Sequence, residues 1–156
     1  MQGSKGTYDV LPADQPLRRK VIEQAEKIFT AAGYGRINTP AFEDTELFVR
    51  GVGKSSDIVR KEMYTFQDKG NRSLTLKPEG TAPVVRAYVQ HGLPKLPQPV
   101  KLWYYERMYR FERPQAGRCR EHYQLGAVAI GYGHAALRPV PDIMRSRPHE
   151  GLGVPG

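Results

Sequence analysis

Two long runs in the last third of the chain, residues 100–112 and 120–130, constrain the fold most. Both read as strands, and Pro114-Gln-Ala-Gly117 between them is turn chemistry. Strands of this length need partners, so the two runs are read as an antiparallel pair. Successive strand side chains point to opposite faces. That alternation puts Met108, Arg110 and Glu112 on one face and Tyr109 and Phe111 on the other. On the partner run it gathers His122, Gln124, Gly126 and Val128.

The rest of the chain supplies helices and shorter strands. Asp14 is a candidate N-cap, and Pro16 falls in the first turn, where its missing N–H is harmless. Leu17, Val21, Ile22, Ala25, Ile28, Phe29 and Ala32 then recur at helical spacing until Gly33 stops the helix. A short strand over residues 34–39 ends at Pro40, and a short helix is expected over residues 44–50. Residues 63–67 and 73–77 alternate around Asp68-Lys-Gly-Asn71, which reads as a β-hairpin. A helix follows over residues 83–91, with Val84, Val85 and Tyr88 on one side. Pro94, Pro97 and Pro99 then force an extended connector. Helices mixed with antiparallel strands give an α+β class. With 156 residues, one domain is expected over 1–131. Residues 132–156 hold four Gly and four Pro in 25 positions with no apolar period, and are read as a flexible tail of unrelated character.

Charge narrows the partners. Lys and Arg number 24 against 16 Asp and Glu, a net +8, which favours a polyanion. The lone cysteine, Cys119, excludes a disulfide scaffold and a cysteine-rich zinc site, and no metal site is expected. No run of eighteen apolar residues exists, so no membrane span is expected; without a secretory signal at Met1-Gln-Gly-Ser-Lys, a cytoplasmic address fits.

Two clusters have both a functional and a plain structural reading. Arg107, Arg110, Arg113, Arg118 and Arg120 crowd fourteen positions that hold one acid, Glu112. Arginine forks bind phosphate oxygens in pairs, so the cluster suits a polyphosphate. A solvated hairpin with arginines on its wet side is the plainer reading from composition alone. Lys77-Pro-Glu-Gly-Thr81 is a strand end turning into a helix with Thr81 as N-cap, or a rigid turn aiming Glu79 and Thr81 at a ligand. Gly51-Val-Gly53 is too short for a dinucleotide fingerprint.

From about Gly6 to Gly131 the chain resembles the histidyl-tRNA synthetases, class II aminoacyl-tRNA synthetases. Gly6-Thr-Tyr-Asp-Val-Leu-Pro12 is similar to that family's opening, and Tyr34-Gly-Arg-Ile-Asn-Thr-Pro40 with Phe42-Glu43 to motif 1, which builds the dimer interface. Lys61-Glu-Met-Tyr-Thr-Phe66 and Leu74-Thr-Leu-Lys-Pro-Glu-Gly-Thr-Ala82 are similar to the amino-acid-binding loop. Tyr109-Arg-Phe-Glu-Arg-Pro-Gln-Ala-Gly-Arg118, continuing to Gln124-Leu-Gly126, is similar to motif 2. The resemblance implies part of a class II catalytic domain, an antiparallel sheet flanked by helices, and a histidine–tRNA ligase that uses ATP and Mg2+. It implies that Arg110 grips the α-phosphate as the catalytic residue. Glu112 and Arg118 would complete ATP binding, and Glu79, Thr81 and Gln124 would hold the substrate histidine. The implied partners are histidine, tRNA(His) and a second copy of the chain through motif 1.

Two departures bear on these expectations. The family has a glutamate where this chain has Val128, on the face that carries Gln124. Loss of that acceptor predicts weakened histidine binding, since an unpaired ligand donor costs roughly 1–3 kcal/mol. The family's later arginine motif, motif 3 and anticodon-binding domain are missing, so an incomplete core, inactive alone, is expected. A shifted reading frame or gene remnant would produce the change of composition at residue 132. The alternative is a non-catalytic histidine-binding paralogue, resembling the regulatory subunit of ATP phosphoribosyltransferase.

Overall fold

The computed structural model describes residues 2–52, 62–111 and 119–131. In chain order these form α1 (Gln15–Ala31), β1 (Gly35–Arg36), β2 (Phe42–Asp44), α2 (Thr45–Val52), β3 (Thr65–Gln67), β4 (Ser73–Leu76) and α3 (Thr81–Gln90). A 3-10 turn at Leu93–Lys95 leads to β5 (Val100–Tyr109) and β6 (Glu121–Ile130). Two three-stranded sheets result, ordered β1-β5-β6 and β2-β4-β3.

The long strands pair antiparallel from Val100 opposite Ile130 to Tyr109 opposite Glu121. Directly opposed residues share a face, so Leu102, Tyr104, Glu106 and Met108 lie with Val128, Gly126, Gln124 and His122. Both faces of this ribbon are covered. On the even-numbered side Val84 from α3 packs with Tyr104, Met108 and Val128. On the other, Ala25 from α1 packs with Trp103 and Ala127, and the Trp103 ring stacks on Phe29 at 5.3 Å.

Several elements differ from the sequence expectation for identifiable reasons. The strand expected over 34–39 pairs only at Gly35–Arg36, parallel to β5. Beyond it the Thr39 N–H turns to the Glu106 carboxylate (2.7 Å) instead of a neighbouring strand. The helix expected over 44–50 starts at Thr45 and is preceded by β2, a three-residue strand opposite β4 too short for a visible period. α3 begins two residues before the expected start, with Pro83 in its first turn, where no N–H is needed. Part of the proline-rich connector winds into the 3-10 turn at Leu93–Lys95. On α1 only Ala25 is buried, while Leu17 and Ile28 remain exposed. Helical spacing marks an apolar stripe without saying how much of it is covered. The turn at 114–117 and the segment 132–156 lie outside the described residues.

Candidate functional site at the mouth of the long ribbon

The stretch after β4 is stitched onto the end of β5. Lys77 N donates to Ala41 O (3.0 Å), and Tyr109 N donates to Lys77 O (2.9 Å). One residue on, Pro78 O accepts from Arg110 Nε at 2.8 Å. Arg110, one residue beyond β5, is therefore held against Lys77-Pro-Glu-Gly-Thr81.

Glu79 turns its carboxylate back onto the start of α3, accepting from Thr81 N (2.6 Å) and Ala82 N (2.8 Å). A carboxylate at a helix N-terminus satisfies orphan amides and suits the positive end of the helix dipole. The expectation that Thr81 caps this helix needs correction. Gly80 occupies the cap position, Glu79 supplies the capping side chain, and half-buried Thr81 opens the helix.

The Tyr104 ring lies between the loop and the sheet. A Cβ on Gly80 would fall 2.3 Å from the Tyr104 ring, and a Cβ on Gly126 would do the same from β6. Both values are far inside van der Waals contact, so the ring fits only because both neighbours are glycines.

Gln124 lies on this same face, opposite Glu106. Its side-chain Oε1 is buried and unpartnered. Buried acceptors are nearly always paired, so this atom is ready for a donor from a ligand. Val128 shares the face but lies under α3, 5% exposed between Val84, Tyr104 and Met108. It belongs to the apolar core rather than to an open pocket; alternation gives a residue's face, not what covers it.

The arginine cluster divides. Arg107 is on the opposite face, donating to Tyr123 Oη and pairing with Glu121 at 3.3 Å. Arg120 lies 4.6 Å over the Phe111 ring. The expected ATP contacts Glu112 and Arg118, with Arg113, fall outside the described residues. A recess of about 660 Å³ on the Arg107 face is lined by Tyr8, Arg18, Arg107, Glu121 and Tyr123. Its cations are engaged already, Arg18 lying 3.5 Å over Tyr123. Burial pushes the phenol of Tyr8 up, and likewise those of Tyr105 and Tyr109, so these hydroxyls stay protonated near neutrality.

Sequence reasoning missed one polar group. Lys77 Nζ lies 2.5 Å from Glu106 Oε2, with side chains 4% and 10% exposed. Thr39 joins both residues. The partners are 29 to 67 positions apart, and no local pattern announces such a set.

Among the described residues no group of three His, Cys, Asp or Glu is placed to hold a metal ion, and no helix is long and apolar enough to cross a membrane.

Comparison with known proteins follows the same lines. The family model for histidyl-tRNA synthetase matches residues 6–138. A histidine–tRNA ligase of Dehalococcoides mccartyi is 54% identical over 98% of this chain and 37% of its own length. One from Geobacillus kaustophilus is 50% identical over 96% of this chain and 35% of its own. The chain thus spans about a third of the length of the curated relatives it matches. The apo histidyl-tRNA synthetase of S. aureus superposes with TM-score 0.70 at 40% identity, over 85% of this chain and 30% of that one. A Bacillus halodurans structure described as an ATP phosphoribosyltransferase regulatory subunit/histidyl-tRNA synthetase gives TM-score 0.70 at 28% identity, over 85% of this chain and 33% of that one. The ribbon, the loop stitched to it and relatives half identical over nearly the whole chain agree: the chain belongs to the histidyl-tRNA synthetase family.

Proposed function

We propose that this chain carries part of the catalytic core of a histidine–tRNA ligase. In that reaction a carboxylate oxygen of histidine attacks the α-phosphorus of ATP. Pyrophosphate leaves, and histidyl adenylate forms. The 3′-terminal hydroxyl of tRNA(His) then attacks the acyl carbon and releases AMP. Glu79, Thr81 and Gln124 hold histidine, Arg110 meets the charge that develops at the α-phosphate, and Glu112 and Arg118 complete nucleotide binding. The observation that carries this reading is the buried, unpaired Oε1 of Gln124 on the face to which Arg110 and the Glu79 loop converge. An ammonium or imidazole N–H of histidine supplies the missing donor. Arg110 uses Nε for Pro78 O, which leaves its terminal amino groups for phosphate oxygens.

Magnesium enters with the nucleotide, since this ion is held by substrate phosphates and one or two carboxylates rather than by a protein cage. When bound it supplies neutralising charge for the departing pyrophosphate. The net charge of +8 suits a tRNA backbone, and motif 1 provides for a homodimer. A soluble, cytoplasmic setting accords with charging tRNA.

A chimera tests the proposal. Residues 6–131 replace the matched segment of the Dehalococcoides mccartyi ligase, and histidine-dependent ATP–pyrophosphate exchange is measured. Exchange is expected to persist and to fall about 10²–10³-fold in the Arg110→Ala chimera, the usual effect of removing a donor from developing charge. A folded chimera that binds histidine without exchange would mark the non-catalytic reading instead.

A further inference from the structure

Behind the loop that faces substrate lies a buried ion pair that the proposed reaction leaves unused. Lys77 immediately precedes Pro-Glu-Gly-Thr, and its ammonium has three donors. Glu106 Oε2 takes one, Thr39 O another (3.1 Å) and Thr39 Oγ1 the third (3.1 Å). Glu106 in turn accepts from Thr39 N at Oε1 (2.7 Å) and from Thr39 Oγ1 at Oε2 (2.8 Å). The set is closed, with no polar hydrogen of the ammonium left over.

Such a pair calls for an explanation other than stability, because the desolvation of two buried charges offsets most of their attraction. Its position offers one. Glu106 stands directly opposite Gln124 across the ribbon. Lys77 is bonded through its backbone to Ala41 and Tyr109, and the next carbonyl, Pro78 O, holds Arg110. Glu79 follows one residue later. Residues 77–79 therefore connect the groups assigned to histidine with the group assigned to the nucleotide, and Lys77–Glu106 is the only ion pair among the described residues linking this stretch to β5.

We infer that Lys77 and Glu106, locked by Thr39, are positioning residues that set the Glu79-Gly80-Thr81 loop over β6 at the height histidine requires. This rests on the histidine-binding reading above. Neither residue touches substrate; both act through the loop.

Calorimetric titration of the chain with histidine, alongside thermal unfolding, tests the inference. The double variant K77M/E106Q removes both charges together and keeps an acceptor for Thr39, so no orphan charge is left to unfold it. It is expected to keep its unfolding temperature while histidine affinity falls about tenfold, the equivalent of about one hydrogen bond to histidine left poorly made. Lys77→Arg retains a cation and is expected to preserve most of the affinity, a rescue that bulk stability would not produce. Wild-type affinity in the folded double variant overturns the inference, as does an equal loss in Lys77→Arg. If the double variant does not fold, Thr39→Val, which keeps the ion pair and the backbone hydrogen bonds of residue 39 and removes only the hydroxyl, is expected to lose histidine affinity in the same direction. Failure of both to fold makes the pair scaffold alone, and overturns the inference too. A chain that binds no histidine before any substitution overturns the histidine-binding reading itself, and the inference with it.

Discussion

Gln124 and Gly126 lie two positions apart on β6, with opposite needs. Gln124 Oε1 is buried without a partner, and an unpaired buried acceptor costs roughly 1–3 kcal/mol. Gln124→Leu therefore should not lower unfolding stability, while histidine affinity falls; urea denaturation and calorimetry on one sample check both. Gly126 is filled from the other side, because a Cβ there would meet the Tyr104 ring at 2.3 Å. Gly126→Ala is expected to lose about 1–3 kcal/mol by overpacking, read from the urea midpoint. Alternation in the sequence placed Gln124 and Gly126 on one face, and that much was legible. It did not reveal that Tyr104 occupies a slot between Gly80 and Gly126, nor that Val128 sits beneath α3. Both facts depend on which remote segment covers a strand. The Lys77–Glu106–Thr39 set was illegible for the same reason.

At the scale of elements, the β3–β4 hairpin shows how a turn written in the sequence is held. Asp68 Oδ1 accepts from Gly70 N (2.8 Å) and Arg72 N (2.9 Å), and Asp68 Oδ2 accepts from Arg72 Nε (2.7 Å). The Arg72 amide first, and then its guanidinium, hold the Asp68 carboxyl below the usual carboxylate range. A lowered value in the folded state means the contribution is present above the ordinary aspartate value of about 3.9 and disappears as pH falls through the folded one. The amide shifts of Gly70 and Arg72 are expected to titrate together below that ordinary value, and Asp68→Asn to abolish the step. Elements with a sustained period, such as α1, this hairpin and β5 with β6, were legible to within a few residues. β1 and β2 were not, because strands of two and three residues carry no period, and their pairing depends on β5 and β4.

For the molecule as a whole, the two sheets are joined where Lys77 bonds Ala41 and Tyr109, and the start of α3 comes down on Tyr104 on the face that carries Gln124. The recess on the opposite face has its arginines already engaged with Tyr123 and Glu121. The basic excess spread along the chain was readable as a preference for a polyanion, but charge alone names no substrate. Which face accepts histidine is therefore the decisive question, and an amide-resolved NMR titration of the isotopically labelled chain answers it. Histidine is expected to shift the Gln124 side-chain amide together with the backbone amides of Gly80 and Thr81, while Arg18 and Tyr123 stay still. Shifts confined to Tyr8, Arg18 and Tyr123, with Gln124 silent, would contradict it.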